Sequence, residues 1–339
     1  MQRSVPRNHP IRAVHSGLGA AAPQAPAWPS YTGASQFVGS TASGRLTVFV
    51  DASLGQPARQ NAQDLVAEGD RIINANDALF GTAGGPVNVI VFALNGVTDG
   101  TGGADHMGCD YISGSAIEVC ASFGDSPRVY ALFEAELSEC SMGGNLCGVS
   151  TGEALSRWCA SSTSDNALAD FATAPAWAQN GMPNWVDQTR PTDQDADSTG
   201  CGMAFISWLM GMGHPLSDIA PELASLGQNG TLAQVYAALT GDAAGNAWRN
   251  FTSAVNALAG GVTSDDPFGA AGQAPGVAGA DAHALEQAAR SLSALLADIA
   301  AGKPEHEILA RIRAMTAASS AQRARGKSKR LLPPRAAAA

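Results

Sequence analysis

Charge is scarce in this chain. Asp, Glu, Lys and Arg make up 15% of its 339 residues, against 45% apolar residues, so it can bury a sizeable core. What charge there is leans one way: 20 Lys and Arg stand against 30 Asp and Glu, a formal net charge of −10. That balance argues against sequence-independent nucleic-acid binding by the main body. No apolar run approaches the length of a membrane span. No Cys-x-x-Cys pair occurs, which removes a zinc knuckle. No glycine-rich phosphate loop leads from a strand into a helix, which removes one common catalytic framework.

One stretch, Ser126 to Trp158, organises what is there. Ser126 is a good N-cap and Pro127 suits the first helical position. Val129, Phe133, Leu137 and Cys140 then recur at helical spacing as one apolar stripe, until Gly143 and Gly144 stop the helix. Glu134, Glu136 and Glu139 lie on or beside that stripe. A second helix is expected to open near Thr151, with Glu153 in its first turn. Carboxylates beside a buried face are costly to desolvate unless paired or functional.

These residues resemble the gluzincin metallopeptidases, and most closely the plant and bacterial basic secretory protein family. There one helix carries His-Glu-x-x-His, and the next supplies a glutamate as third zinc ligand. Laid on that pattern, Phe133-Glu134-Ala135-Glu136-Leu137 occupies the His-Glu-x-x-His position, and Glu153 the third-ligand position sixteen residues after Leu137. A register two residues later, Ala135-Glu136-Leu137-Ser138-Glu139, makes Glu136 the general-base position and Glu139 the second-ligand position, fourteen residues before Glu153. Both histidines are missing in either register. The resemblance therefore implies the fold but not the family's zinc chemistry, so no metal ligand and no cofactor is expected.

The implied fold is α+β and zincin-like with two lobes: a small mixed sheet plus helices in residues 44–143, and an all-helical lobe in 144–258. Its cleft runs under an edge strand. In the first register Tyr130, Phe133, Glu134, Leu137 and Ser141 share the side facing that cleft, and His106, on a hairpin, borders it. Glu136 and Glu139 then point to another flank, as partners of Arg128 or Arg157 or as solvated surface, unless the shifted register holds. Glu134 and Glu153 are the candidate catalytic pair, because two close carboxylates without a cation raise one another's pKa. The leading expectation is an inactive metallopeptidase homologue binding a peptide or glycan in the residual cleft. The rivals are a zinc-independent hydrolase using Glu134 and Glu153, and a structural protein of the cell envelope.

The remaining chain is read from pattern. Strands are expected at 46–50 and 87–94 around a helix at 58–79, then a hairpin with strands near 105–111 and 116–122. Helices are expected at 151–161, 166–179, 199–212, 216–226, 231–239 and 243–258, with 199–212 apolar on nearly every face. Residues 1–43 read as a leader and linker, with a degraded secretion signal as one reading. Residues 259–280 read as a flexible linker, 281–318 as two short amphipathic helices and 319–339 as a basic disordered tail. Six cysteines suggest three disulfides, Cys109–Cys120, Cys140–Cys147 and Cys159–Cys201, and hence a secreted or periplasmic protein; the alternative is six buried free thiols in a cytosolic protein. The acidic run Asp193 to Gly200 resembles a calcium loop, but Ser198 and Ala204 stand where an EF-hand needs glycine and glutamate. Its plainer reading is a turn whose Asp197 or Ser198 caps the next helix.

Overall fold

The computed structural model describes residues 23–93, 103–107, 116–120, 125–143, 146, 148–165 and 167–270. All of them fall in the first of two units, Met1–Pro275. The expectations for the leader before residue 23, the hairpin turn, and everything beyond residue 270 lie outside the described residues.

The architecture is mixed α+β. Strands β1 (Ser35–Ser40) and β2 (Leu46–Asp51) precede helix α1 (Gln56–Phe80). Then come β3 (Val87–Phe92), β4 (Ala104–His106), β5 (Ala116–Cys120) and helices α2 (Ser126–Ser141) and α3 (Ser150–Thr163). Five further helices follow: α4 (Ala174–Gln179), α5 (Ala196–Gly211), α6 (Leu216–Leu226), α7 (Leu232–Thr240) and α8 (Ala247–Asn256). The sheet order is β1-β2-β3-β5-β4. β2, β3 and β5 run parallel, and β1 and β4 are antiparallel edges.

The central strands are apolar almost throughout because both of their faces are covered. Val48, Val50, Val89, Val91, Ile117 and Val119 pack toward Leu65, Ile72 and Ile73 of α1 and Val129, Phe133 and Leu137 of α2. Phe49, Ile90 and Phe92 point the other way, onto Trp28 and Tyr31. The segment carrying Trp28 is therefore not a linker. Its Ser30 and Tyr31 amides and the Ser30 hydroxyl donate to the Glu118 carboxylate, which is fully buried on β5. Short range hid this: a single tryptophan and a serine among prolines and glycines carry no periodicity. β1 was missed for the same reason.

Local chemistry accounts for the helices. α1 begins with Pro57 in its first turn and stops at Gly81, whose φ of 67° is left-handed. α2 is capped by Asp125, not Ser126; the Asp125 carboxylate accepts from the Arg128 amide, while the Ser126 hydroxyl donates to Asn61 and Asp64 of α1. α5 is capped by Asp195, which accepts from the Ser198 amide at 2.8 Å, so the acidic run is a capping turn whose cap lies earlier than the expected Asp197 or Ser198. The helix expected at 166–179 is two pieces, a 3-10 turn at Ala169–Phe171 and α4, because Pro175 can only begin a helix. α5 is buried from Ser198 to Leu209, and its Phe205 and Trp208 meet Phe251 of α8.

The unit also runs further than residue 258. Asp265 accepts from the amides of Thr173 and Ala174 at the start of α4. Asp266 accepts from the Ser207 hydroxyl and the Ala270 amide, and Ala270 is fully buried. The first part of the expected linker is thus a docked strap; its Gly and Asp content reads as linker only until the unpaired amides of α4 are in place to receive it.

Candidate functional site

α2 packs against both α3 and β4, and the two sides of α2 do opposite things. Phe133 and Leu137 are fully buried in the core between helix and sheet. They line no cleft. Ser141 donates to the Leu137 carbonyl and accepts from Asn76, and Tyr130 faces a surface cavity with Arg71, Pro127 and Thr163. Glu134 is also fully buried, and neither carboxylate oxygen has a hydrogen-bond partner among the described residues. Burial raises its pKa well above the ordinary value, the Arg71 charge opposes the rise and Asp77 adds to it, so the group is held as a neutral acid.

The other side of α2 gathers the charge. The Nε2 of His106 on β4 lies 3.2 Å from the Glu139 carboxylate, with the two side chains only 9% and 12% exposed. Cys140 hydrogen-bonds the same imidazole. Burial alone would lower the His106 pKa, but the bonds to Cys140 and Glu139 and the fields of Cys140 and Glu136 push it up to about 11. Glu136 sits beside them, its pKa raised well above the usual carboxylate range by burial and then by the Glu139 charge. From α3, Glu153 hydrogen-bonds Glu139. Burial pushes the Glu153 pKa up to about 7 against the pull of Arg157, whose Nε donates to it at 2.6 Å. Arg157 also donates to the Phe171 carbonyl. Gly152 allows this arrangement: a Cβ there would lie 2.1 Å from the Leu146 carbonyl oxygen.

The candidate pair Glu134 and Glu153 does not form. The charges acting on Glu134 are Arg71 and Asp77, while those acting on Glu153 are Arg157 and Glu139. A step of two residues turns an α-helix by about 200°, so the two sets meet different parts of α3: Glu139 meets Glu153, while Glu134 faces the buried Cys159. The residues of the shifted register are the ones brought together. Their expected arginine partners are engaged elsewhere: Arg157 with Glu153, and Arg128 with Asp170 at 2.9 Å, its guanidinium over the Phe171 ring. Arg128, Asp170 and Phe171 frame this side, and no local pattern around residue 170 pointed to them.

The cysteines need a parallel correction. Cys159 and Cys201 are buried thiols and do not bridge. Cys159 faces Ser138 and Glu134 on α2, and Cys201 faces the Trp185 backbone. Cys109 and Cys147 lie outside the described residues, as does the side chain of Cys120.

What has been assembled is a mostly buried centre of three carboxylates, one imidazole and one guanidinium beside an edge strand. Comparison with family models, with curated proteins and with solved structures returns no match.

Proposed function

We propose that this chain is a zincin-like two-lobe protein that binds an extended peptide along β4, next to the His106–glutamate centre, and does not use the family's His-Glu-x-x-His zinc chemistry. The single observation that carries the reading is the tie between His106 on the edge strand and Glu139 on α2. It fixes the strand edge directly beside the acidic centre. Among the described residues β4 is the terminal strand of the sheet and pairs with β5 alone, so its outer edge is where another strand would add, although the His106 amide already donates to the Asp105 carboxylate. Backbone pairing of that kind gives affinity, and neighbouring side chains give selectivity. Further support comes from the order of elements, with an antiparallel edge strand beside the helix that matches the family's motif. Burial of Phe133 and Leu137 is the reason for setting aside zinc bound at the first register.

The reading is tested by screening the purified full chain against a library of extended peptides by fluorescence polarisation, then mapping the best ligand by amide hydrogen exchange. Protection of residues 103–107 is expected, without peptide cleavage. Protection confined to the cavity around Arg71 and Tyr130, or no bound peptide, overturns it.

A further inference from the structure

The centre holds more carboxyl groups than its own cations answer. Glu136, Glu139 and Glu153 meet His106 and Arg157, and Arg157 is taken by Glu153 and the Phe171 carbonyl. Glu136 has little exposed surface and no hydrogen-bond donor among the described residues. A carboxylate set among other carboxylates, with no donor of its own, is an expensive arrangement unless a cation joins it. The ligand atoms of His106, Glu136 and Glu139 already lie within 4.8 Å of one another.

We propose that His106, Glu136 and Glu139 form a binding site for one divalent transition-metal cation. The donor set is an imidazole nitrogen and two carboxylate oxygens, the mixture that suits zinc or manganese rather than calcium, which prefers oxygen alone. The geometry is close. Bonds of about 2.0–2.1 Å put neighbouring ligands of a tetrahedral zinc ion roughly 3.4 Å apart, and His106 Nε2 and Glu139 Oε2 stand 3.2 Å apart. Glu136 has to swing inward by on the order of 1 Å to complete a three-point face. Supporting groups are in place: Cys140 hydrogen-bonds the imidazole, and Glu153, anchored by Arg157, hydrogen-bonds Glu139. Such partners fix ligand orientation and are worth about 10–100-fold in metal affinity. Neither Phe133 nor Leu137 takes part. The site lies within the proposed peptide-binding face, but the inference stands on these side chains alone.

The test uses the full chain, stripped with chelator and dialysed, and titrated separately with Zn²⁺ and Mn²⁺ by calorimetry with metal content checked by mass spectrometry. One equivalent of at least one of the two ions is expected to bind. Glu136→Gln and His106→Ala should each weaken it at least tenfold, and Asp193→Asn, on the exposed capping turn, should leave it unchanged. Should His106→Ala fail to fold, Glu136→Gln with Glu139→Gln carries the comparison. Absence of stoichiometric binding of either ion, or binding that these substitutions leave intact, overturns the proposal. Peptide binding that persists in the stripped protein leaves the peptide reading standing when the metal proposal falls; metal binding without any peptide ligand does the reverse.

Discussion

Helix α2 buries glutamates on two of its sides, and the two sides solve the same problem differently. Between α1 and Cys159 of α3, Glu134 is fully buried, neither oxygen has a hydrogen-bond partner among the described residues, and desolvation favours its neutral form. Toward β4 and α3, Glu136 and Glu139 lie among Glu153, His106 and Arg157: Glu139 pairs with His106 and Glu153 with Arg157, while burial and the Glu139 charge raise the Glu136 pKa. The side chain is the same, as is the helix; what differs is the company that distant segments bring. Chemistry follows company, which is why the functional centre is assigned to the second side.

The sharpest way to break this contrast is to install the family's ligands on the first side. The double variant Phe133→His, Leu137→His places two imidazoles in a packed apolar core. Each replacement should cost on the order of 3–5 kcal/mol, enough together to unfold a typical domain. Urea denaturation and zinc analysis check this. A folded double variant with stoichiometric zinc would show that the first side opens onto a cleft after all.

A smaller contrast comes from replacing one glutamate on each side by leucine. Glu139→Leu strips His106 and Glu153 of a shared partner, and should destabilise by about 2–4 kcal/mol. Glu134→Leu removes a desolvated carboxyl that makes no hydrogen bond, and should stabilise by about 1–2 kcal/mol. The two shifts in thermal midpoint should have opposite signs; shifts of the same sign would erase the distinction between the sides.

The lone acid should also leave a signature in pH. Its folded pKa lies above the unfolded value of about 4.5, so the folded state holds the proton more tightly. The stability it leaves intact is fully present below that unfolded pKa, and declines as pH rises toward the folded pKa, by at most ~1.4 kcal/mol per pH unit. Arg71, Asp77 and Cys159 are the titratable groups facing it. Subtracting the Glu134→Gln variant isolates this contribution: relative to that variant, wild type should lose stability between pH 5 and 8. A flat or rising difference would mean that Glu134 is ionised and paired.

The smallest expected effect belongs to Arg157→Lys. An ammonium keeps the charge near Glu153 but cannot also hold the Phe171 carbonyl with the same fork. A loss of about 1 kcal/mol in denaturant unfolding is expected, and no loss would show that the Phe171 loop is held by Arg128 and Asp170 without it.

Much of the fold was legible before any tertiary contact was known. Ala62, Leu65, Ile72 and Ile73 announce α1, the unbroken Val87–Phe92 run announces a central strand, and the all-round apolar face of α5 announces its burial. These signals are local, because helix and strand periods are written within one or two turns of chain. The Asp125 cap was displaced by one residue from its expected place, since neighbouring Asp and Ser both suit that role and only the helix's orientation against α1 distinguishes them.

The candidate site was legible as a set of residues but not as an arrangement. By itself the sequence determined that α2 carries three glutamates, that α3 follows with a fourth, and that a histidine sits on the hairpin before them. Both registers satisfied the same helical period, and two residues of shift separate a core face from a ligand face. Only the tertiary structure decided which sides of α2 the partners of Glu139 and Glu134 would cover, that Glu134 would be sealed between α1 and Cys159, that Cys159 and Cys201 would stay unbridged, and that Trp28 and Asp265 would tie the ends of the described chain to the core. The physical reason is reach: backbone propensity and periodicity act within a few residues, whereas a buried charge takes its ionisation, and with it its chemistry, from partners that lie tens of residues away.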